Sequence, residues 1–357
     1  MLFEPNLHQV VWGGERLVQW KNLKKEPKRR FSSTKSTVPN GTLEHIGESW
    51  EVSAVESSPS VVANGCWAGK TLPEVVASAP EEILGKAVAK HYGDKMPLLV
   101  KFIDAQKDLS IQVHPDDEMA QREHGKNGKT EMWYILDAEP GACIFSGFKK
   151  TLDPEEYKRM VQDGTVVDAL AKHEVHAGDV FYIPAGRVHA ICGGIMLAEI
   201  QQSSDVTYRI FDYNRPGLDG KPRELHTAYA AQALNYKVER KYRTDYAVRN
   251  DKANLIMESK YFSARVTEVD HEFHRNLLKY DSFIITMCLK GDCVIRVRAT
   301  GDEVVVKEGY SCLIPAAVAD YDIRPVVGSC KVLDAFIDNQ RGGLMNKIHR
   351  LFHKNKY

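Results

Sequence analysis

The stretch Gly178-Asp-Val-Phe-Tyr-Ile-Pro184-Ala-Gly186-Arg-Val-His189 decides the fold, because the chain carries it twice. The second copy is Gly309-Tyr-Ser-Cys-Leu-Ile-Pro315-Ala-Ala317-Val-Ala-Asp320. Gly leads Pro by six residues in both, with apolar and aromatic residues between. Each copy reads as a turn, a short strand and a proline-containing turn. Asp320 stands where the first copy has His189. The repeat predicts two related β-barrels, one carrying a candidate ligand and one that has lost it.

The surrounding sequence agrees. Short β-branched or aromatic runs bounded by turn residues begin at Pro97, Leu109, Glu131, Cys143, Val180 and Ile195. After about residue 250 the pattern recurs at Phe262, Ser282, Cys293, Glu303, Ser311 and Cys330, without helical stretches. Helical patterning is confined to insertions. One runs from Thr71-Leu-Pro-Glu to about residue 92 and breaks at Pro80. A second spans 153–172, opened by Asp153 as N-cap with Pro154 behind it. A third, shorter one runs from Thr227 to Leu234. The first fifty residues read as irregular. The expected architecture is mainly β with helical insertions: residues 1–245 form a metal-binding barrel domain, and 246–357 a degenerate barrel with a basic tail.

Charge narrows the function classes. Forty-eight Lys+Arg balance 48 Asp+Glu in 357 residues. That excludes a chain built mainly to coat nucleic acid or an anionic membrane, which needs a basic surplus. No apolar run is long enough to span a bilayer, and no signal-peptide pattern opens the chain. The seven cysteines are odd in number and contain no CxxC, which suits reduced thiols in a cytoplasm. Basic residues between Lys21 and Lys35 read as a solvated loop, and Leu344–Tyr357 as a basic, partly amphipathic helix.

The candidate chemistry gathers around His189. Gln112 and His114 lie two apart on a strand and share a face, as do Lys129 and Glu131 on the next. One barrel interior could collect Gln112, His114, Glu131 and His189. This N/O set without thiolate suits Zn²⁺, and also Mn²⁺, Fe²⁺ or Co²⁺, with a position left for an exchangeable oxygen. His124, His173 and His176 read as structural.

Gly178, Pro184, Gly186 and His189 resemble the second motif of the cupin superfamily of jelly-roll barrels, with Gly193 where that motif usually carries Asn. Five blocks narrow the resemblance: Trp12-Gly13-Gly14, Gly47-Glu-Ser-Trp50-Glu-Val-Ser53, Pro97 to Asp117, Lys129-Thr-Glu131-Met, and Ser203 to Arg215. In this order they are similar to the type I mannose-6-phosphate isomerases, compact bacterial branch. The resemblance implies a zinc enzyme, one ion per chain, interconverting mannose 6-phosphate and fructose 6-phosphate through an enediol. It implies Gln112, His114, Glu131 and His189 as ligands, and Arg209 as the catalytic arginine. It also implies Glu199 in proton transfer, Lys129 at the site, and Lys101 and Ser110 at the sugar or its phosphate. The helical insert is shorter than in the long eukaryotic branch, so residues which that branch draws from its insert do not transfer.

Alternatives stay open at this point. Glu199 could instead pair with Arg209. The base, the oligomeric state (monomer or weak homo-oligomer) and the physiological direction are not readable. Another cupin enzyme, such as an Fe(II) dioxygenase, normally shows His-x-His where this chain has Gln112-Val-His114. A sugar-sensing regulator would bind without turnover. The expected partner is a small sugar phosphate, not a nucleic acid or a membrane.

Overall fold

The computed structural model describes residues 1–23 and 43–339. Most of the basic run after Lys21, and the expected basic C-terminal helix, lie outside the described residues. The chain packs as two compact units: Pro5–Ser60 with Leu98–Asp245, and Met1–Glu4 with Val61–Pro97 and Tyr246–Tyr357.

Among its described residues the first unit contains twelve strands: β1 Leu7–Gly14, β2 Ile46–Val52, β3 Leu98–Ala105, β4 Ile111–Val113, β5 Glu131–Ala138, β6 Cys143–Phe148, β7 Leu170–Glu174, β8 Val180–Ile183, β9 His189–Ile191, β10 Ile195–Gln202, β11 Tyr208–Phe211 and β12 Arg243–Thr244. They form a seven-stranded sheet, β1-β2-β3-β10-β5-β8-β12, and a five-stranded sheet, β11-β4-β9-β6-β7. The core lies between the sheets. Ile103, Trp133, Ile135 and Leu197 of the larger sheet pack in one cluster with Ile144 and Ile191 of the smaller. Strand alternation then puts Gln112 on the inner face, while Ile111 and Val113 pack outward in a cluster with Tyr157 and Ala230 of the covering helices and Leu234 just beyond them.

The second unit pairs β13 Asn254–Glu258, β14 Ser263–Val269, β16 Ile284–Lys290, β19 Ser311–Ile314 and β21 Cys330–Phe336 in one sheet. β15 Phe273–Asn276, β17 Cys293–Val297, β18 Glu303–Val306 and β20 Asp320–Pro325 form another. Both sheet pairs fit a jelly-roll of the cupin type. The repeat is visible in the backbone: Gly178 and Gly309 adopt φ 93° and 80°, which favour glycine, and His189 and Asp320 each open a strand. Asp320 meets His274 Nε2 at 2.7 Å.

Three expectations change. Helices Leu72–Ser78, Pro80–Leu84 and Lys86–Tyr92 belong to the unit with residues 246 onward, not to the site-bearing unit. The Asp281 carboxylate accepts the Lys86 and Ala87 amides at 3.1 and 2.8 Å, and the Phe283 amide donates to Leu84 O. The segment 153–172 is helical only over Pro154–Gln162, capped by Asp153, and then a short 3₁₀ turn. Gly164 at φ 70° ends the helix, and Leu170 to Lys172 enter β7. Among the described residues of the first fifty, β1 and the start of β2 are regular strands rather than irregular chain. A Cβ on Gly13 would lie 2.3 Å from the His45 carbonyl, so the glycines permit close strand approach there.

The interior of the second unit carries its own ion pair. Arg275 Nη2 lies 2.6 Å from Asp334 Oδ2, both buried, with Thr267 and Thr286 completing the bonds to each. Asp334→Ala strands the guanidinium, and should lower the unfolding free energy by about 3–5 kcal/mol in denaturant titration. A loss under ~1 kcal/mol would show that the arginine finds water.

Candidate active site

The four expected metal ligands come together. Gln112 and His189 are direct cross-strand partners, and Gln112 Nε2 lies 3.3 Å from His189 Nε2. Glu131, at the start of β5, faces them from the other sheet. Its Oε2 lies 3.3 Å from His114 Nε2, and its Oε1 lies 3.4 Å from His189 Nε2. His114, Glu131 and His189 are all buried.

Their other contacts fix which atoms remain available. His114 Nδ1 donates to the Val206 carbonyl at 3.0 Å, and His189 Nδ1 to the Arg187 carbonyl at 2.8 Å. Each ring therefore turns the lone pair of Nε2 toward Glu131, the orientation that outer-shell carbonyls give to metal-binding imidazoles. His114 Nε2 and both Glu131 oxygens are buried without a hydrogen-bond partner. Lys129 Nζ is 2.9 Å from Oε2, so this is a charge contact without an aligned bond. Ligand atoms of His114, Glu131 and His189 all lie within 4.8 Å of one another. Two imidazoles and a carboxylate with unspent lone pairs fit a divalent cation such as zinc. Gln112 adds a donor, since turning its amide over exchanges Nε2 for Oε1.

Lys101, Glu199 and Trp133 form a row on the larger sheet. Lys101 pairs with Glu199 and Glu199 with Trp133, so their side chains share the inner face. Lys101 Nζ is 3.5 Å from Glu199 Oε1, and Trp133 Nε1 donates to Oε2 at 3.0 Å. Burial, and then the charge on Glu131, push the Glu199 carboxyl above its usual range. Glu199 does not pair with Arg209. That arginine, half-buried on β11 opposite Gln112, donates Nη1 to the Glu224 carbonyl at 2.8 Å. Ser110 Oγ donates to Gln112 Oε1 at 3.3 Å.

Reading the sequence residue by residue missed Glu48. Its Oε2 lies 3.3 Å from Lys101 Nζ and accepts from Trp50 Nε1 at 2.6 Å. Burial acts to raise its carboxyl, but Lys101 and His8 outweigh it and hold the group down at about 2. The signal was present in Gly47-Glu-Ser-Trp50, but no ligand spacing singled out the glutamate.

With this geometry in view, relatives and solved structures are informative. Residues 2–148 match the catalytic domain of phosphomannose isomerase type I, and residues 252–336 match the mannose-6-phosphate isomerase cupin domain. Mannose-6-phosphate isomerase ManA of Bacillus subtilis is 32% identical over 329 residues, covering 91% of this chain and 95% of its own. This chain belongs to the type I phosphomannose isomerases. It is therefore an enzyme of the aldose–ketose isomerase class. A mannose-6-phosphate isomerase of Streptococcus mutans is 37% identical over 234 residues, 66% of this chain and 67% of its own. A crystal structure of the Bacillus subtilis mannose 6-phosphate isomerase superposes with TM-score 0.79 at 31% identity, covering 94% of this chain and 98% of the other. The apo Salmonella typhimurium enzyme, at 15% identity, covers 94% of this chain and 98% of its own with TM-score 0.71, a likeness of fold alone.

The buried imidazoles set a pH dependence. In the metal-free protein, burial and then the charge of Lys129 push His114 down from 6.5 to about 3. Between those values the unfolded chain binds a proton that the folded chain refuses, so stability falls as pH falls. Above the unfolded value both states are neutral and the contribution is present in full. Urea titrations of metal-free protein should show unfolding free energy declining from pH 6.5 toward 3, with a shallower decline in His114→Gln. An equal slope in the variant would place the linkage elsewhere.

Proposed function

We propose that this enzyme interconverts mannose 6-phosphate and fructose 6-phosphate through an enediol, with one zinc ion held by Gln112, His114, Glu131 and His189. The observation that carries the reading is the buried Glu199 beside Lys101, its carboxyl pushed above the usual range, in the same interior as the ion-ready histidines and Glu131. Membership in the family supplies the substrate class.

Isomerisation moves one proton between C2 and C1 of the sugar and a hydroxyl proton between O2 and O1, so that the carbonyl migrates. When bound, a zinc ion supplies Lewis-acid polarisation of a sugar oxygen. Glu199 is the base. Trp133 N–H holds Oε2, leaving Oε1 to take the C2 proton and return it to C1. A raised carboxyl is suited to both halves of that shuttle. Lys101 keeps the carboxylate anionic when the proton is away. Lys129 balances the buried charge of Glu131 and faces the oxygens of the substrate. Arg209, permanently charged and forked, steadies the enediolate or a phosphate oxygen. Ser110 directs a hydroxyl at the sugar. The scattered cysteines of the sequence support a cytoplasmic location, and we assign a monomer or weak homo-oligomer.

Purified protein should convert mannose 6-phosphate to fructose 6-phosphate in a coupled assay. Chelation should abolish turnover, and zinc should restore it. Zinc-loaded protein without turnover would overturn the reading. Glu199→Gln should lower kcat by about 10²–10⁴-fold. Arg209→Ala should cut turnover with bound zinc unchanged by elemental analysis. If zinc drops in parallel, Arg209 has another role.

A further inference from the structure

The segment after β11 contains a charge cluster that the reaction does not use directly. Asp212, buried at the end of this strand, accepts from two guanidiniums. Arg215 donates Nε and Nη2 to Oδ1 at 3.0 and 2.8 Å. Arg223 donates Nε to Oδ2 at 2.6 Å and Nη2 to Oδ1 at 2.5 Å. One carboxylate thus closes the excursion 213–222 upon itself.

The backbone just beyond Arg223 holds Arg209. Glu224 supplies the carbonyl for Nη1, the His226 amide donates to Arg209 O at 2.7 Å, and the Arg209 amide donates to His226 Nδ1 at 3.2 Å. Nε of Arg209 is buried without a partner, so no second bond of its own steadies the fork. The direction of the guanidinium therefore depends on where the backbone of Glu224 sits, and Arg223 pins that backbone to Asp212. Through Arg215 the same carboxylate is also linked to the turn before β4. Arg215 donates Nη1 to the Asp108 carbonyl at 2.5 Å, and Asp108 Oδ1 accepts the Gly193 amide at 2.7 Å, in the turn after β9. The Asp212 network therefore touches the lead-in to Ser110 and Gln112, and the turn beyond His189.

We propose that Asp212, through Arg223, is a positioning residue for Arg209: it fixes the Glu224 carbonyl that aims the guanidinium at the substrate. Its catalytic consequence rests on the function proposed for Arg209. Without the carboxylate, Arg215 and Arg223 become two uncompensated cations beside a third, and the excursion loses its closing contact.

A double-variant cycle tests this on the zinc-loaded enzyme. Asp212→Asn keeps the shape and removes the charge. It should lower kcat by about 10- to 100-fold, the scale of an ångström-sized misplacement, with KM changed far less and bound zinc unchanged. In an Arg209→Lys background the same change should cost less than about threefold, because the two residues act as one unit. Arg223→Gln, which leaves the Arg215 contacts intact, should behave alike, and carries the test if Asp212→Asn does not fold. Losses that multiply in full would overturn the proposal, as would an unchanged kcat. A wild-type chain without isomerase activity would sink the functional reading instead. The clamp itself is then judged by hydrogen exchange: the His226 amide should exchange faster in either variant, and unchanged exchange would overturn it.

Discussion

A carboxylate with no water to solvate it organises this protein. Glu131 is fully buried, and burial alone would drive it neutral. The charge of Lys129 and the facing His114 reverse that, holding the carboxyl well below its usual range. The demand is geometric. Two sheets must present two imidazoles, an ammonium and an amide within a few ångströms of one point, and each ring must have its other nitrogen occupied. The register of β4 against β9, and the carbonyls of Val206 and Arg187, meet that demand. An apolar floor that includes Trp133 excludes water behind it.

Around this centre the two carboxylates of one cavity are set to opposite tasks. Glu131 and Glu199 are both deeply buried, yet the first is held well below the usual carboxylate range and the second is pushed above it. The difference lies in the neighbours. Glu131 has Lys129 at 2.9 Å and two imidazoles, whereas Glu199 has a more distant Lys101 and feels Glu131 itself. Separation of two like groups by environment lets one pocket hold two carboxylates of different proton affinity.

The parts of this arrangement that were legible in the sequence are those with short-range signatures. The Gly–Pro–His turn, its second copy, and the two-residue spacings Gln112/His114 and Lys129/Glu131 arise from strand periodicity, and they sit where expected. The order of five sequence blocks pointed to the family. The features that were not legible depend on distant partners. β1 was hidden because Gly13 and Gly14 look like loop residues until their close approach to β2 and Asp104 is seen. The helix over 153–172 was overextended because apolar points at Val166 and Leu170 mimic a helical face, while Gly164 ends it. Helices 72–92 were assigned to the wrong unit because the bonds to Asp281 and Phe283 span nearly two hundred residues, a separation no local pattern records. The Asp212 contacts join three segments by long, flexible arginines, which carry no periodicity at all.

The two barrels have settled the same electrostatic problem in different ways. In the second, the positive charge facing Asp334 belongs to Arg275, a group bonded to the polypeptide and impossible to titrate away at any ordinary pH. Its counter-charge is inherited with the gene, made in stoichiometric amount whenever the chain is made. The first barrel has a built-in cation too, in Lys129, but leaves lone pairs of Glu131 and His114 without hydrogen bonds and so open to a further positive group. A descendant of this repeat that carried an arginine in both copies would be self-sufficient, with no open lone pair left to offer a cation.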